Sequence, residues 1–398
     1  MPFHSPLNPL NLMKGLLPRI IIAILLGVLL GNFLTLPWVR VFATFNMLFS
    51  QFLGFMIPLI IVGLVTPAIA QIGHSAGRLL LTTVAIAYGD TVVSALLAYG
   101  TGSCLFPSMV ENTQHLAHVE QATAISPYFS IQIPPILDVM SGLVFAFMMG
   151  LVIAYVSLPT LNNVFVEFRT VITKTIEKAI IPLLPIYIFG IFLMMTHTGE
   201  AYRIMLVFVQ IICVIFVLHI LILLYQFCVA GMITKKNPLR LLWNMLPAYL
   251  TALGTSSSAA TIPITLKQTL RNGVSEGIAG FTVPLCATIH MSGSAMKITA
   301  CALTICLLEG IPHDFTLFLH FVMMLAIVMV AAPGVPGGAI MAALAPLASI
   351  LGFTADQQAL MIALYIAMDS FGTACNVTGD GAIALIVDRI FSKEGSIE

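Results

Sequence analysis

The chain has 398 residues, of which 59% are hydrophobic and only 8% are charged, and its formal net charge is zero. Soluble globular proteins carry about 25% charged residues, so this composition excludes a soluble domain and indicates a polytopic membrane protein. The balanced charge and the lack of a basic tract give no support to nucleic acid binding.

Six segments of the first 230 residues are long and apolar enough to cross a bilayer, which takes about 20 residues. They are residues 15–36, 43–70, 79–107, 134–158, 178–197 and 203–230. The first has no small-residue cleavage site, so it predicts a transmembrane helix and not a signal peptide. The polar segment 108–133 predicts the single long external loop.

The last third of the chain is less regular. Apolar segments 238–271 and 316–351 are interrupted by "GTSSSAATIP" and "APGVPGG", and helical segments 279–309 and 357–391 are interrupted by "HMSGS" and "GTACNVTGD". Non-helical backbone at membrane depth survives only where protein buries it or where it lines a cavity. We therefore expect these interruptions to surround a ligand site.

Basic residues set the predicted topology. No Lys or Arg lies between residues 79 and 168. If eight helices cross the membrane, one side of it carries Lys14, Arg19, Arg78, Arg169, Lys174, Lys178, Lys235, Lys236, Arg240, Lys267, Arg271, Arg389 and Lys393. The predicted fold is all-α, with eight transmembrane helices plus two re-entrant helical hairpins of opposite orientation. Both termini are then cytoplasmic. Such inverted repeats place a binding site near the membrane midplane.

Four ordered motifs carry a resemblance to a known family. The motifs "SSSAATIPIT", "GFTVPLCATIHMSGSA", "GVPGGAIM" and "NVTGD" resemble those of the dicarboxylate/amino acid:cation symporters, the glutamate transporter family. The likeness is continuous over residues 237–390 and looser over 10–230. It implies a homotrimer in the plasma membrane, or the inner membrane of a bacterium. A mobile transport part of each protomer would carry substrate across like an elevator.

The resemblance also implies a division of the chain. Residues 1–230 would form six transmembrane helices, which are the scaffold plus part of the transport domain. Residues 231–398 would form the core transport region, with the first hairpin, the broken seventh helix, the second hairpin and the eighth helix.

The resemblance places the substrate between the hairpin tips, the broken helix and the last helix. Asp369 would pair with a substrate amino group, and Ser258 and Asn376 would hold a carboxylate. The positions that match the family's substrate site are Ser256, Ser257, Ser258, Ser294, Val335, Gly338, Asp369, Thr373 and Asn376.

Sodium sites are implied in the same way. One would lie under the second hairpin, a second would use Asn376 and Asp380, and the neighbourhood of Asp90 and Thr91 would contribute to the deepest one. The residues matched to the site under the hairpin are Thr288, Met291, Met329, Val330 and Ala332. The coupling ion is expected to be Na⁺, with H⁺ instead of it or beside it left open.

The chain departs from the family pattern at informative positions. Gly372 stands where carriers of acidic amino acids have an arginine that grips the side-chain carboxylate. The family's "NMDGT" reads "HMSGS", so His290 replaces an asparagine sodium ligand and Ser292 replaces an aspartate one.

Ionisable residues within spans cost about 2.5–3.5 kcal/mol each, so they tend to be functional. Asp90 either restores the charge missing at Ser292 or is bonded structurally. His290 either takes part in cation or proton coupling or pairs with a neighbouring aspartate. Lys297 lies one turn after Ser294 and should face the protein interior. There it either supplies the positive charge missing at Gly372 or forms a structural salt bridge.

The leading hypothesis is a cation-coupled secondary active symporter that imports a small amino acid, because Asp369 suits an ammonium group. The alternatives are a symporter of C4-dicarboxylates or acidic amino acids that uses Lys297, and proton coupling. A channel is less favoured, because the polar residues converge on one pocket and form no continuous pore. No motif indicates an enzyme. The expected partners are a small-molecule substrate, the lipid bilayer and two further copies of the chain.

Overall fold

The computed structural model describes residues 16–74, 78–114, 125–156, 158–199, 201–330, 332 and 337–392. All regular structure in these ranges is helical, which confirms the all-α class for the described part of the chain. The helices are α1 (Leu16–Gly31), α2 (Leu36–His74), α3 (Arg78–Gln114), α4 (Val139–Val156), α5 (Pro159–Thr175), α6 (Ile181–His197), α7 (Ala201–Thr234), α8 (Pro238–Thr255), α9 (Ser258–Arg271), α10 (Glu276–Ile289), α11 (Ser292–Glu309), α12 (Phe315–Val330), α13 (Gly338–Ser349), α14 (Ala355–Ala367) and α15 (Asp369–Ser392). A π-helical turn, Ile176–Ile180, joins α5 to α6.

Five helical stretches of the described residues are long and apolar enough to cross a membrane. They are Leu36–Pro67, Arg78–Val110, Pro159–His197, Met205–Thr234 and Glu276–Glu309. Helices α14 and α15, bent by 64° at their junction, make a sixth if they form one span. Helices α1, α4, α12 and α13 supply shorter apolar stretches. The membrane fold is thus confirmed, while eight crossings and two re-entrant hairpins stay predictions.

The helices pack as two groups. In the first group α2 lies along α4, α5 and α6, and α1 lies along α6. In the second group α3 packs on α11 and α12, and α7 packs on α8 and α15. Helices α13 and α14 provide most of the contact between the groups, through α1, α2, α4 and α6. The assignment of these groups to a scaffold and a moving part stays a prediction.

The serine-rich segment forms the tip between α8 and α9. Helix α8 ends where Ser256 adopts a left-handed conformation with φ 50°. Ser257 then takes an extended conformation, and its side chain accepts a hydrogen bond from the Ala260 amide. A serine cap of this kind satisfies one of the free amides at a helix start. Ser256 ends α8 and Ser257 starts α9, so the chain turns within two residues.

The predicted break at "HMSGS" is present, because α10 ends before His290 and α11 begins after Met291. The predicted interruption of the last helix at residues 372–380 is wrong. The chain breaks earlier, at Met368, and α15 continues through the glycines. These glycines serve close packing, since a Cβ on Gly372 would lie 2.5 Å from the Lys297 Nζ.

Candidate functional site

The first hairpin tip is tied directly to α15. The Ser256 hydroxyl lies 2.6 Å from the hydroxyl of Ser370. Ser257 caps α9, and Ser258, the first residue of α9, is buried. The structure thus brings the predicted serines next to the start of α15. A helix start with free amides favours bound anions.

Asn376 joins α15 to the start of α11. Its Oδ1 accepts hydrogen bonds from the amides of Gly293 and Ser294, at 2.8 and 3.2 Å. Its Nδ2 donates to the Ser294 hydroxyl, which lies 2.9 Å from the hydroxyl of Tyr365. Both ends of the Asn376 amide are therefore engaged by the protein. Asn376 and Ser294 meet as expected, and Asn376 also caps the broken helix.

Lys297 is completely buried and points at the first turn of α15. Its Nζ donates to the carbonyl of Met368 at 3.2 Å and lies 3.4 Å from the Asp369 Oδ1. The same ammonium lies 3.6 Å from the ring centroid of Tyr365, which is a cation–π contact. Because Gly372 has no side chain, the ammonium occupies the space beside that residue.

Asp369 has partners on both of its carboxylate oxygens. Its Oδ2 accepts a hydrogen bond from the Gly337 amide at 2.8 Å, which ties α15 to the residue before α13. Gly337 has φ 75°, and Gly338 begins α13. The Thr373 hydroxyl is bonded to the Asp369 carbonyl one turn earlier. Val335 lies outside the described residues.

Asp90, His290 and Asp380 form a second buried cluster. The His290 Nε2 lies 2.8 Å from the Asp90 Oδ2, and its Nδ1 lies 2.9 Å from the Asp380 Oδ1. Gln226 on α7 donates to the Asp90 Oδ2 at 2.6 Å and to the hydroxyl of Ser292 at 3.0 Å. His290 therefore pairs with an aspartate, which is one of the two alternatives that the sequence left open, and it contacts both aspartates at once.

The other predicted cation residues are placed individually. The Thr91 side chain is buried and donates to the Ala87 carbonyl, while the Thr288 side chain is exposed and donates to the Leu285 carbonyl.

Met291 is buried at the break between α10 and α11. At the end of α12, the Met329 carbonyl accepts from the Ala332 amide at 3.1 Å, and Val330 is the last helical residue.

Sequence reasoning missed two residues of these clusters. Gln226 is a lone amide in the apolar run "LILLYQFCVAGM", and its polarity at mid-helix was the available signal. Tyr365 stands four residues before Asp369, one turn away on a helical count. The 64° bend that lets its ring and hydroxyl face α11 gave no sequence signal.

These features define a class of protein. Buried ionisable residues gathered at the breaks of membrane helices are typical of secondary transporters, in which broken helices bind substrate and ions. The family model of the sodium:dicarboxylate symporter family matches residues 16–390. The chain belongs to that family, whose name describes symporters.

Curated relatives include carriers of two kinds. The chain is 37% identical over 178 residues to human excitatory amino acid transporter 5, and the aligned region is 44% of this chain and 31% of the relative. It is 34% identical over 161 residues to mouse neutral amino acid transporter B(0), where the aligned region is 39% of this chain and 29% of the relative. It is 34% identical over 164 residues to rat excitatory amino acid transporter 1, covering 41% and 30%. The chain thus matches about three-tenths of the length of these relatives.

Proposed function

We propose that the chain is a cation-coupled symporter for a small carboxylate, either a C4-dicarboxylate or an acidic amino acid. The observation that carries this proposal is the buried Lys297 ammonium beside Gly372. In the carriers of acidic amino acids that this chain resembles, an arginine stands at the position of Gly372, and its positive charge binds the side-chain carboxylate of the substrate. Lys297 brings a positive charge to the same place from a different helix.

The neighbourhood of Lys297 favours an anionic cargo for a second reason. Asp369 already has an ammonium at 3.4 Å and a backbone amide at 2.8 Å. A substrate amino group would have to compete with Lys297 for that carboxylate. A substrate carboxylate would instead add a second acceptor to an ammonium that can donate three hydrogen bonds. The starts of α9 and α13 are placed beside this part of α15, and helix starts attract anions.

A neutral amino acid is the second candidate. It is favoured by Asp369, which suits an ammonium group, and by the space that Gly372 leaves for an uncharged side chain. The relatives include a protein named as a neutral amino acid transporter. In this case Lys297 would move away from Asp369 when substrate binds.

The proposed coupling ion is Na⁺, in keeping with the family description. The set proposed to hold it is Thr288, Met291, Met329, Val330 and Ala332, whose hydroxyl and carbonyl oxygens suit a hard cation. Asn376 and Asp380 are left out of this set, because Asn376 bonds Gly293 and Ser294 and Asp380 contacts His290. H⁺ is the alternative. A homotrimer, an elevator movement and a plasma-membrane location are proposed from the resemblance.

Ligand-dependent thermal unfolding of the purified full chain tests the proposal. Succinate, aspartate, glutamate, alanine and serine are compared, each in sodium and in choline. A ligand at 100 times its dissociation constant adds about 2.7 kcal/mol to the stability of the native state. Stabilisation by an acid and not by alanine or serine supports the proposal. Stabilisation by a neutral amino acid alone would overturn it in favour of the second candidate.

A further inference from the structure

The cluster around His290 joins three parts of the fold. Asp90 comes from the middle of α3, His290 from the break between α10 and α11, and Asp380 from α15. The imidazole side chain is fully buried between the two carboxylates, while Asp90 is 11% exposed and Asp380 is 1% exposed. The ring therefore separates two negative groups that would otherwise face each other.

A count of donors shows what this geometry requires. An ionised carboxylate only accepts hydrogen bonds, and a neutral imidazole has a single N–H. Each of the two nitrogen–oxygen contacts of His290, at 2.8 and 2.9 Å, needs one proton. The ring and the two carboxylates therefore hold two protons between them. Their combined charge is −1 whether the second proton lies on the ring or on an oxygen.

We propose that the His290 ring is a built-in substitute for a bound cation, so that the site between Asp90 and Asp380 takes no sodium ion. The ring lies where the resemblance implied a sodium ligand, and it supplies one positive charge in the form with both nitrogens protonated. The cluster then belongs to the protein throughout transport and does not exchange with solution. This inference concerns the coupling of the proposed symporter, but its test needs no substrate.

The donor set does not fit sodium. A hard cation is bound by several oxygens that point at one centre. Here the Asp90 Oδ2 faces N–H donors from His290 and from Gln226, which lies 2.6 Å away. No three His, Cys, Asp or Glu side chains in the described residues form a group that could hold a metal ion. The carboxylates are thus oriented toward the imidazole ring.

The surrounding backbone makes room for this ring. A Cβ at Gly379 would lie 2.8 Å from the His290 Cε1 and 2.7 Å from the Gln226 Oε1. Glycine at this position lets both side chains pack against α15. A cavity of about 170 Å³ is lined by Asp90 and Gln226 but not by His290, whose ring is fully buried. A sodium ion that entered this cavity would contact Asp90 before it reached the ring. The signals of His290 report such binding, because the ring contacts Asp90 directly.

The first test uses the wild-type chain in lipid vesicles, with ¹⁵N-labelled histidine and solid-state NMR. The His290 signals are those that survive replacement of the other histidines. We expect both ring nitrogens of His290 to take part in hydrogen bonds to a carboxylate. Their ¹⁵N chemical shifts should be the same in sodium and in choline. A sodium-dependent change in these signals would overturn the proposal.

The second test restores the residue that the resemblance gives at this position. His290→Asn should open the space between Asp90 and Asp380, so that sodium raises the unfolding temperature of the variant more than that of the wild type, which is proposed to bind sodium only near Thr288. His219→Asn is the matched control, since it changes another buried histidine and should leave the sodium dependence unchanged. Equal sodium dependence in wild type and His290→Asn would contradict the proposal. Because neither test contains substrate, a wrong cargo assignment leaves both results interpretable.

Discussion

Replacing Lys297 by methionine should switch the cargo of this carrier. Methionine keeps much of the apolar stem and removes the ammonium that contacts Asp369, Met368 and Tyr365. Truncating one partner of a buried charge pair costs about 2–5 kcal/mol. Because a bound carboxylate would lose one hydrogen bond to a charged group, which contributes about 1.5–3 kcal/mol, we expect the low end, about 2–3 kcal/mol. That corresponds to a roughly 30- to 150-fold loss of affinity for a carboxylate cargo.

The same change should act in the opposite direction on neutral amino acids, because it frees Asp369 for a substrate ammonium and such cargo has no second carboxylate to lose contact with Lys297. The assay is competition by succinate, aspartate and alanine, measured as apparent affinity in proteoliposomes that contain equal amounts of folded protein. Lys267→Met on α9 is the control, since Lys267 is exposed. If Lys297→Met left the order of substrate preference unchanged, the assignment of Lys297 to cargo recognition would be refuted.

Three further changes test other parts of the site. Asp369→Asn should abolish amino acid uptake and spare dicarboxylate uptake, and equal loss of both would reject an ammonium-binding role. Gly372→Ala should displace the lysine ammonium, lower acid affinity and cost about 1–3 kcal/mol by overpacking, as measured by competition and thermal unfolding. Gly379→Ala should reduce the free energy of unfolding by a similar amount and so lower the unfolding temperature, because its Cβ would contact two side chains. The control Gly280→Ala has nothing within 4 Å of its Cβ and should stabilise helix α10 slightly; equal losses at both glycines would contradict the packing argument.

Several helix breaks could be predicted from the sequence. A serine-rich turn and a polar five-residue motif interrupt apolar segments, and the chain turns at Ser256 and breaks at His290 as expected. Pairing of His290 with Asp90 and Asp380 was also foreseeable. Isolated ionisable groups in apolar helices need partners, and few were available.

Other features depended on packing that a sequence does not display. Gly372 and Gly379 look like helix breakers when read alone, yet in α15 they admit the side chains of neighbouring helices. The role of Gln226 depends on the way α7 faces α3 and α11, which no local pattern encodes. Among the described residues, apolar length alone gives five or six spans, because the shorter helices fall below the length of a full crossing.

The contact between Lys297 and Asp369 has a consequence for the empty protein. An isolated charge costs several kcal/mol to bury, and a partner with good geometry offsets much of that cost. The proposed binding pocket therefore carries its own counter-charge when no cargo is present. In a carrier whose site alternates between the two membrane faces, the unloaded return is the step that no cargo gradient drives. With the pocket neutralised from within, we expect that return to proceed without a counter-transported ion, so that vesicles lacking any exchangeable solute should still sustain net accumulation.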